Sequence, residues 1–249
     1  MKTFHQIQEG IYDPNIFKAV FLAGGPGSGK SFVVGRTLSG LGMKIINSDE
    51  PFERYLIKAG LSLRMPDDEQ IPRDVERKKA KRVTSARKGH AIDGRLGLVI
   101  DGTGKEYNKV TKESGMLREL GYDTYMVFVN TSLETALARN EKRARKVPPR
   151  IAEKGWKEVQ ANLGKFQQYF GPDKFFIVDN NDHQEDLMAK ATKLIARAVK
   201  KTVNNPTAKE WIANEMRKKK MSSLNNLDNY QGRNVGKGGG GFVPKGKRT

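Results

Sequence analysis

The densest chemistry in the chain lies in Gly24-Gly25-Pro26-Gly27-Ser28-Gly29-Lys30-Ser31. A glycine, four residues and then Gly-Lys-Ser is the spacing of a loop that wraps a nucleotide's phosphates. Glycines let backbone N–H groups converge on a phosphate with no Cβ in the way. A helix starting at the end of the loop adds partial positive charge. Residues Gly25, Pro26, Gly27, Ser28, Gly29, Lys30 and Ser31 are therefore the expected ATP-binding set. Lys30 would reach the β- and γ-phosphates, and the Ser31 hydroxyl would ligate Mg²⁺.

Further along, three groups of residues have types that suit phosphoryl transfer. Asp49 follows a short apolar run, where a carboxylate can take the proton of an attacking hydroxyl. It is equally placed to start a helix, with Ser48 or Asp49 leading into Pro51, and both roles are compatible. Asp101 ends the apolar run Leu98-Val99-Ile100, the pattern of an acid that helps hold Mg²⁺ or its waters; the alternative is an acid in an ordinary turn. Gly102-Thr103-Gly104 lets the backbone approach a ligand beside it. Arg139 and Arg143 are four apart, so one helix would place both guanidiniums on one face, suited to charge spreading over a transferring phosphoryl group; a solvated charged face is the other reading.

These residues need a scaffold, and the hydrophobic pattern supplies one. Apolar runs at 18–23, 43–46, 96–101, 124–129 and 175–179 read as five buried strands. Helices are expected at 31–38, 73–90, 107–120, from 132 through the basic run to 146, at 151–170 and at 187–201. Pro148-Pro149 would end the fourth of these and form a lid hinge. Strands alternating with helices predict an α/β protein with a mostly parallel sheet. In such sheets ligands bind beyond the carboxyl ends of the strands, which is where the loop, Asp49 and Asp101 all fall.

The chain has 249 residues, no cysteine and three histidines (His5, His90 and His183) without metal-ligand spacing. That excludes disulfide, thiolate-metal and cysteine-nucleophile chemistry. With no apolar leader and no run of membrane length, the expectation is a soluble, cytoplasmic protein with no membrane partner. Net charge is +18, and residues 200–249 hold twelve Lys/Arg against three acids. Such a bias attracts polyanions, nucleic acid above all, or serves solubility alone. The segment at 73–90 is also very basic. It reads either as the wall of a groove for a phosphate-bearing acceptor or as a solvated face. Asn204-Asn205-Pro206 marks a linker, so residues 1–203 should form the globular domain. Residues 204–249 should form a basic helix (208–220) and, from 221, a glycine-rich tail that is disordered alone.

Over about residues 17–203 the chain resembles the P-loop kinases that group zeta toxins with phage polynucleotide kinases. The phosphate loop is similar in both branches. Asn47-Ser48-Asp49 followed by Arg54 resembles the acceptor-activating segment of polynucleotide kinases, which implies Asp49 as the base and Arg54 as an acceptor contact. Arg139-Asn140-Glu141-Lys142-Arg143 with Val147-Pro148 resembles their lid, whose arginines contact donor phosphates. Asp101-Gly102-Thr103-Gly104 is more similar to the zeta-toxin segment that contacts a nucleotide-sugar acceptor, which places Thr103 among acceptor-binding residues. The resemblance implies a P-loop NTPase three-layer sandwich and an ATP/Mg²⁺-dependent kinase. Its acceptor would be a nucleic-acid or nucleotide 5′-hydroxyl, or else a nucleotide sugar. No Asp-x-Asp phosphatase motif is present. A non-enzymatic reading, a nucleic-acid or virion-associated binding protein on a P-loop scaffold, leaves Asp49, Asp101 and the lid arginines unused. The basic tail is expected to meet a polyanion or a protein partner.

Overall fold

The computed structural model describes residues 10–143, 145–181 and 185–235. Elements follow in the order β1 (Lys18–Ala23), α1 (Lys30–Thr37), β2 (Lys44–Ile46), α2 (Asp49–Lys58), a 3₁₀ turn (Asp67–Glu69), α3 (Gln70–Asp93) and β3 (Leu98–Asp101). Then come α4 (Tyr107–Glu119), β4 (Asp123–Asn130), α5 (Leu133–Glu141), α6 (Pro149–Gln160), α7 (Leu163–Phe170), β5 (Phe175–Asp179), α8 (Glu185–Val199) and α9 (Pro206–Val235). Every pairing in the sheet is parallel, and the order is β2-β3-β1-β4-β5.

All six residues of β1 are buried, because helices cover both faces of a parallel sheet. Strand side chains alternate between faces. Val20 and Leu22 pack with Val33, Val34, Leu38, Val127, Val178, Ile195 and Val199, a cluster that includes α1 and α8. Phe21 instead meets the Phe170 ring at 6.1 Å on α7, and Phe170 meets Phe166 at 6.3 Å. The result is the three-layer α/β sandwich expected of a P-loop fold.

Chain order fixes where the site lies. After β1 the chain forms β2 and then β3 on one side, and β4 and β5 extend the other. The carboxyl end of β1 is thus the topological switch point, where a crevice opens between diverging connections. The opposite end of β1 is closed by charge. Lys18 Nζ lies 2.7 Å from Asp123 Oδ2, Lys174 Nζ lies 3.1 Å from Oδ1, and only 2% of the Lys18 side chain is exposed. Burial alone would raise the Asp123 pKa, but its bonds to Lys18 and Lys174 outweigh that and hold it below the usual carboxylate value. A depressed folded-state pKa contributes stability above the unfolded value of about 3.9, lost as pH falls through the folded value. Asp123→Asn would strand a buried ammonium, and we expect a loss of about 3 kcal/mol at neutral pH. The variant should also lose less of its remaining stability than the parent below about pH 4, read by urea melts across that range.

Four local expectations are corrected. α5 stops at Glu141, short of the basic run. The reason is Asn140, whose Nδ2 donates to Val147 O at 2.6 Å while its Oδ1 accepts from Val147 N at 3.1 Å. This clasp ends the helix at Glu141, so Arg143 does not share a helix face with Arg139. The prolines then open α6 rather than close α5, with Pro149 in its first turn, where a missing N–H costs nothing. The single helix expected at 151–170 is two, α6 and α7. Asn162 interrupts them, its Nδ2 donating to Gly104 O (3.1 Å) and Lys105 O (2.8 Å). Finally, α9 continues past residue 220 to Val235, where an unstructured tail was expected from 221. Residues 236–249 lie outside the described residues. The chain divides into two compact units, Met1–Ala208 and Lys209–Thr249.

Candidate active site

The phosphate loop connects β1 to α1 and is enclosed by three elements. Gly29 caps α1 at φ +81°, and a Cβ there would fall 2.2 Å from Asn180 Nδ2. Gly27 has φ +80°, and its Cβ would meet the Ala136 carbonyl oxygen of α5. Trp156 of α6 packs on Gly25 and donates Nε1–H to Thr131 O at 2.9 Å. Ser28 Oγ is buried with no hydrogen-bond partner among the described residues. An orphaned hydroxyl inside a cradle that admits no side chain is what a phosphate-binding loop presents. Gly29→Ala should therefore weaken ATP binding at least tenfold, since it adds left-handed strain to the clash with Asn180. Gly35→Ala, in the α1 interior with open space around the added methyl, should raise stability by about 0.5–1 kcal/mol. Nucleotide titration and thermal melts of both variants check the pair.

Lys30 is the first residue of α1, and its Nζ donates to Gly24 O (2.6 Å) and Gly25 O (3.2 Å). Burial pushes its pKa below the ordinary lysine value; Arg143 adds to this, while Asp101 and Asp49 oppose it. Asp101 ends β3 in register with Leu22, beside the loop. Burial pushes its pKa up, Asp49 adds to the rise, and Lys30 and Arg143 oppose it. Lys30, Asp49, Asp101 and Arg143 thus form one electrostatic cluster, although Arg143 reaches it from a loop. Asn47 ties two parts of this cluster together. Its Nδ2 donates to Asp101 Oδ2 at 2.7 Å, and its Oδ1 accepts from Asp49 N at 2.6 Å.

Ser31 is exposed at the mouth of the loop. Among the described residues no three His, Asp or Glu side chains gather into a metal site. A hydroxyl and one desolvated carboxylate fit Mg²⁺, which takes few protein oxygens and completes its shell with phosphates and water. A cation there would reverse the upward pull on Asp101.

Arg139, on α5, donates Nη1–H to Asn180 O at 2.6 Å, and Asn180 Nδ2 donates to Ser28 O at 2.7 Å. This chain holds one lid guanidinium over the start of α1. Thr103 supplies its carbonyl to Gly24 N at 2.9 Å and lines a cavity of about 330 Å³ with Ser48, Lys81, Thr84, Ser85, Asp101 and Lys109. The structure does not bring Arg54 to this cavity. It is exposed on α2, and the guanidinium that meets Asp49 is Arg145, at 3.0 Å.

Asn47 was read from sequence only as part of a motif, with no role of its own, and Arg145, Trp156 and Asn180 were given no role. Asn180 had a readable signal, a polar residue just past a strand that ends at the switch-point side of the sheet. Arg145 had none, since its neighbours are also basic and only the clasp at Asn140 turns it inward.

No curated protein matches the chain in sequence. Among solved structures, AvrRxo1-ORF1:AvrRxo1-ORF2 with sulphate ions is 13% identical with a TM-score of 0.51, covering 68% of this chain and 56% of that one. The PezAT chromosomal toxin-antitoxin system of the human pathogen Streptococcus pneumoniae is 13% identical with a TM-score of 0.47, covering 79% and 90%. A shikimate kinase from Acinetobacter baumannii in complex with shikimate is 21% identical with a TM-score of 0.43, covering 72% and 93%. At 13% identity the likeness to the first of these concerns the fold alone. No helix among the described residues is long and apolar enough to cross a membrane. The pattern of the family described as Zeta toxin matches residues 5–191, three quarters of the chain, and with the phosphate loop, Asp49 and Asp101 inside that span, the chain belongs to the zeta toxin family.

Proposed function

We propose that residues 1–203 form an ATP-dependent phosphotransferase that moves the γ-phosphoryl group to a hydroxyl of a nucleotide-bearing acceptor. The observation that carries this reading is geometric: the loop cradle holds Lys30 Nζ and an orphaned Ser28 hydroxyl, and Asn47 ties Asp49 to Asp101, which lines a cavity of about 330 Å³.

The loop amides and Lys30 hold the donor phosphates. Ser31 and Asp101 would hold Mg²⁺, which supplies charge neutralisation when bound. The acceptor hydroxyl, seated in the cavity, gives its proton to Asp49 as its oxygen bonds to the γ-phosphorus. The bond from that phosphorus to the bridging oxygen breaks, and ADP leaves with the electron pair. Arg139 and Arg143 offset the charge on the transferring group. Thr103 lines the acceptor side, and Arg54 is left to contact parts of the acceptor outside the cavity.

Two acceptor readings have support. A strand 5′-hydroxyl is favoured by α3, where exposed Lys78, Lys81, Arg82 and Arg87 form no ion pair among the described residues. Lys81 also lines the cavity, so a cationic track leads away from it. A nucleotide sugar is favoured by membership of the zeta toxin family. Residues 204–249, strongly basic, are assigned to a polyanion or a protein partner. Competing 5′-hydroxyl DNA, 5′-hydroxyl RNA and a UDP-sugar for labelled phosphate decides between the two acceptors. A strand acceptor should also lose affinity steeply as salt rises.

A further inference from the structure

Arg145 has no part in the chemistry above, yet it is among the most constrained cations near the site. It is 8% exposed. Its Nη2 lies 3.0 Å from Asp49 Oδ2 and its Nε 2.8 Å from Glu53 Oε1. The guanidinium also sits 6.0 Å from the centre of the buried Phe52 ring. Asp49 and Glu53 are four apart on α2, so both carboxylates project from one face and repel each other unless a cation lies between them. A guanidinium keeps its charge when buried and has a planar fork of donors that can serve two carboxylates at once. Asn140 clasps Val147, two residues beyond Arg145. The arrangement is therefore built from both sides.

We propose that Arg145 is the positioning residue for Asp49. It fixes the carboxylate through Oδ2 and leaves Oδ1, on a side chain 47% exposed, to accept the acceptor's proton. Glu53 anchors the guanidinium and takes no chemical part. The other charges facing Asp49 are Lys30 from the loop and Asp101 from β3, with Lys81 of α3 on the cavity wall beside Ser48. Among the described residues, none of these forms a hydrogen bond or ion pair with the Asp49 carboxylate. The inference rests on the reading of Asp49 as the base.

The test uses the full chain with Arg145→Ala, Arg145→Lys and Asp49→Asn, measuring kcat, KM for ATP and for acceptor, ATP affinity and thermal melting. A misplaced reacting group costs about 10²-fold in rate, so Arg145→Ala should lower kcat by about 10²-fold. ATP affinity and both KM values should stay within about twofold, because Arg145 touches neither donor loop nor cavity. Arg145→Lys keeps charge without the fork and should recover part of the loss. Millimolar guanidinium added to Arg145→Ala should recover part of it as well. An Arg145→Ala protein that melts lower but turns over at the parental rate would overturn the inference, leaving a purely structural clamp. Should Arg145→Ala not fold, an Arg145→Lys protein with unchanged kcat does the same. Substantial turnover by Asp49→Asn removes the premise instead, and that outcome is distinguished by failing in the Asp49 variant itself.

Discussion

Lys30→Met should reduce phosphoryl transfer by about 10³-fold or more and weaken ATP binding with it. Lys30 is where two requirements meet. Its Nζ is held at the loop's own carbonyls, Gly24 O and Gly25 O, so the charge is already placed where donor phosphates enter. Burial pushes its pKa down while Asp101 and Asp49 resist the shift; the ammonium is desolvated and therefore a strong electrostatic partner for a phosphate. Preorganised donors of this kind are worth about 10²–10³-fold each, and losing ground-state binding adds to that. Methionine matches the length of the stem, so the fold should hold. Lys30→Arg should not rescue activity, because a planar fork cannot occupy the space of a point charge between two loop carbonyls. Steady-state kinetics with nucleotide titration separates the two losses. A Lys30→Met protein that binds ATP with parental affinity and turns over within tenfold would contradict the assignment of the loop.

How much of this was legible beforehand differs from residue to residue. The phosphate loop was legible because its chemistry is local; glycines at fixed spacing between an apolar run and a helix permit one backbone path. The five strands were legible because each is a short apolar run in a sheet buried on both faces, and every one falls within two residues of its expected span. The lid was not. Residues 142–146 are mostly good helix formers, and only the side chain of Asn140, satisfied by the backbone of Val147, decides that the helix ends early. The break at Asn162 has the same origin, a polar side chain capturing carbonyls 57 and 58 residues away. Tertiary hydrogen bonds of that kind leave no periodic trace. Arg143 was named both by resemblance and for a shared helix face; the second reason fails, and its charge nevertheless acts on Lys30 and Asp101. Arg54 was named by resemblance, and the structure leaves it exposed while Arg145 meets Asp49.

The second large effect is expected at Asp49. Asp49→Asn keeps the shape and the bond from Asn47 to the Asp49 amide, and Arg145 keeps Glu53, so stability should change little. Removing a general base costs about 10²–10⁴-fold; we expect the upper part of that range in kcat. ATP affinity should stay within about twofold, since Asp49 lies on α2 and not in the loop. This contrast with Lys30→Met, which loses binding as well as rate, is the signature of a group that acts on the acceptor.

The central claim is that Asp49 activates a hydroxyl for attack on the γ-phosphate of ATP. The most direct measurement is transfer of labelled γ-phosphate to a panel of 5′-hydroxyl DNA, 5′-hydroxyl RNA, nucleosides and a UDP-sugar, by the parent and by Asp49→Asn. The account predicts label on one class of acceptor with the parent and none with the variant, both proteins binding ATP alike. Equal labelling by the two proteins, or no label on any acceptor from a parent that binds ATP, would contradict it.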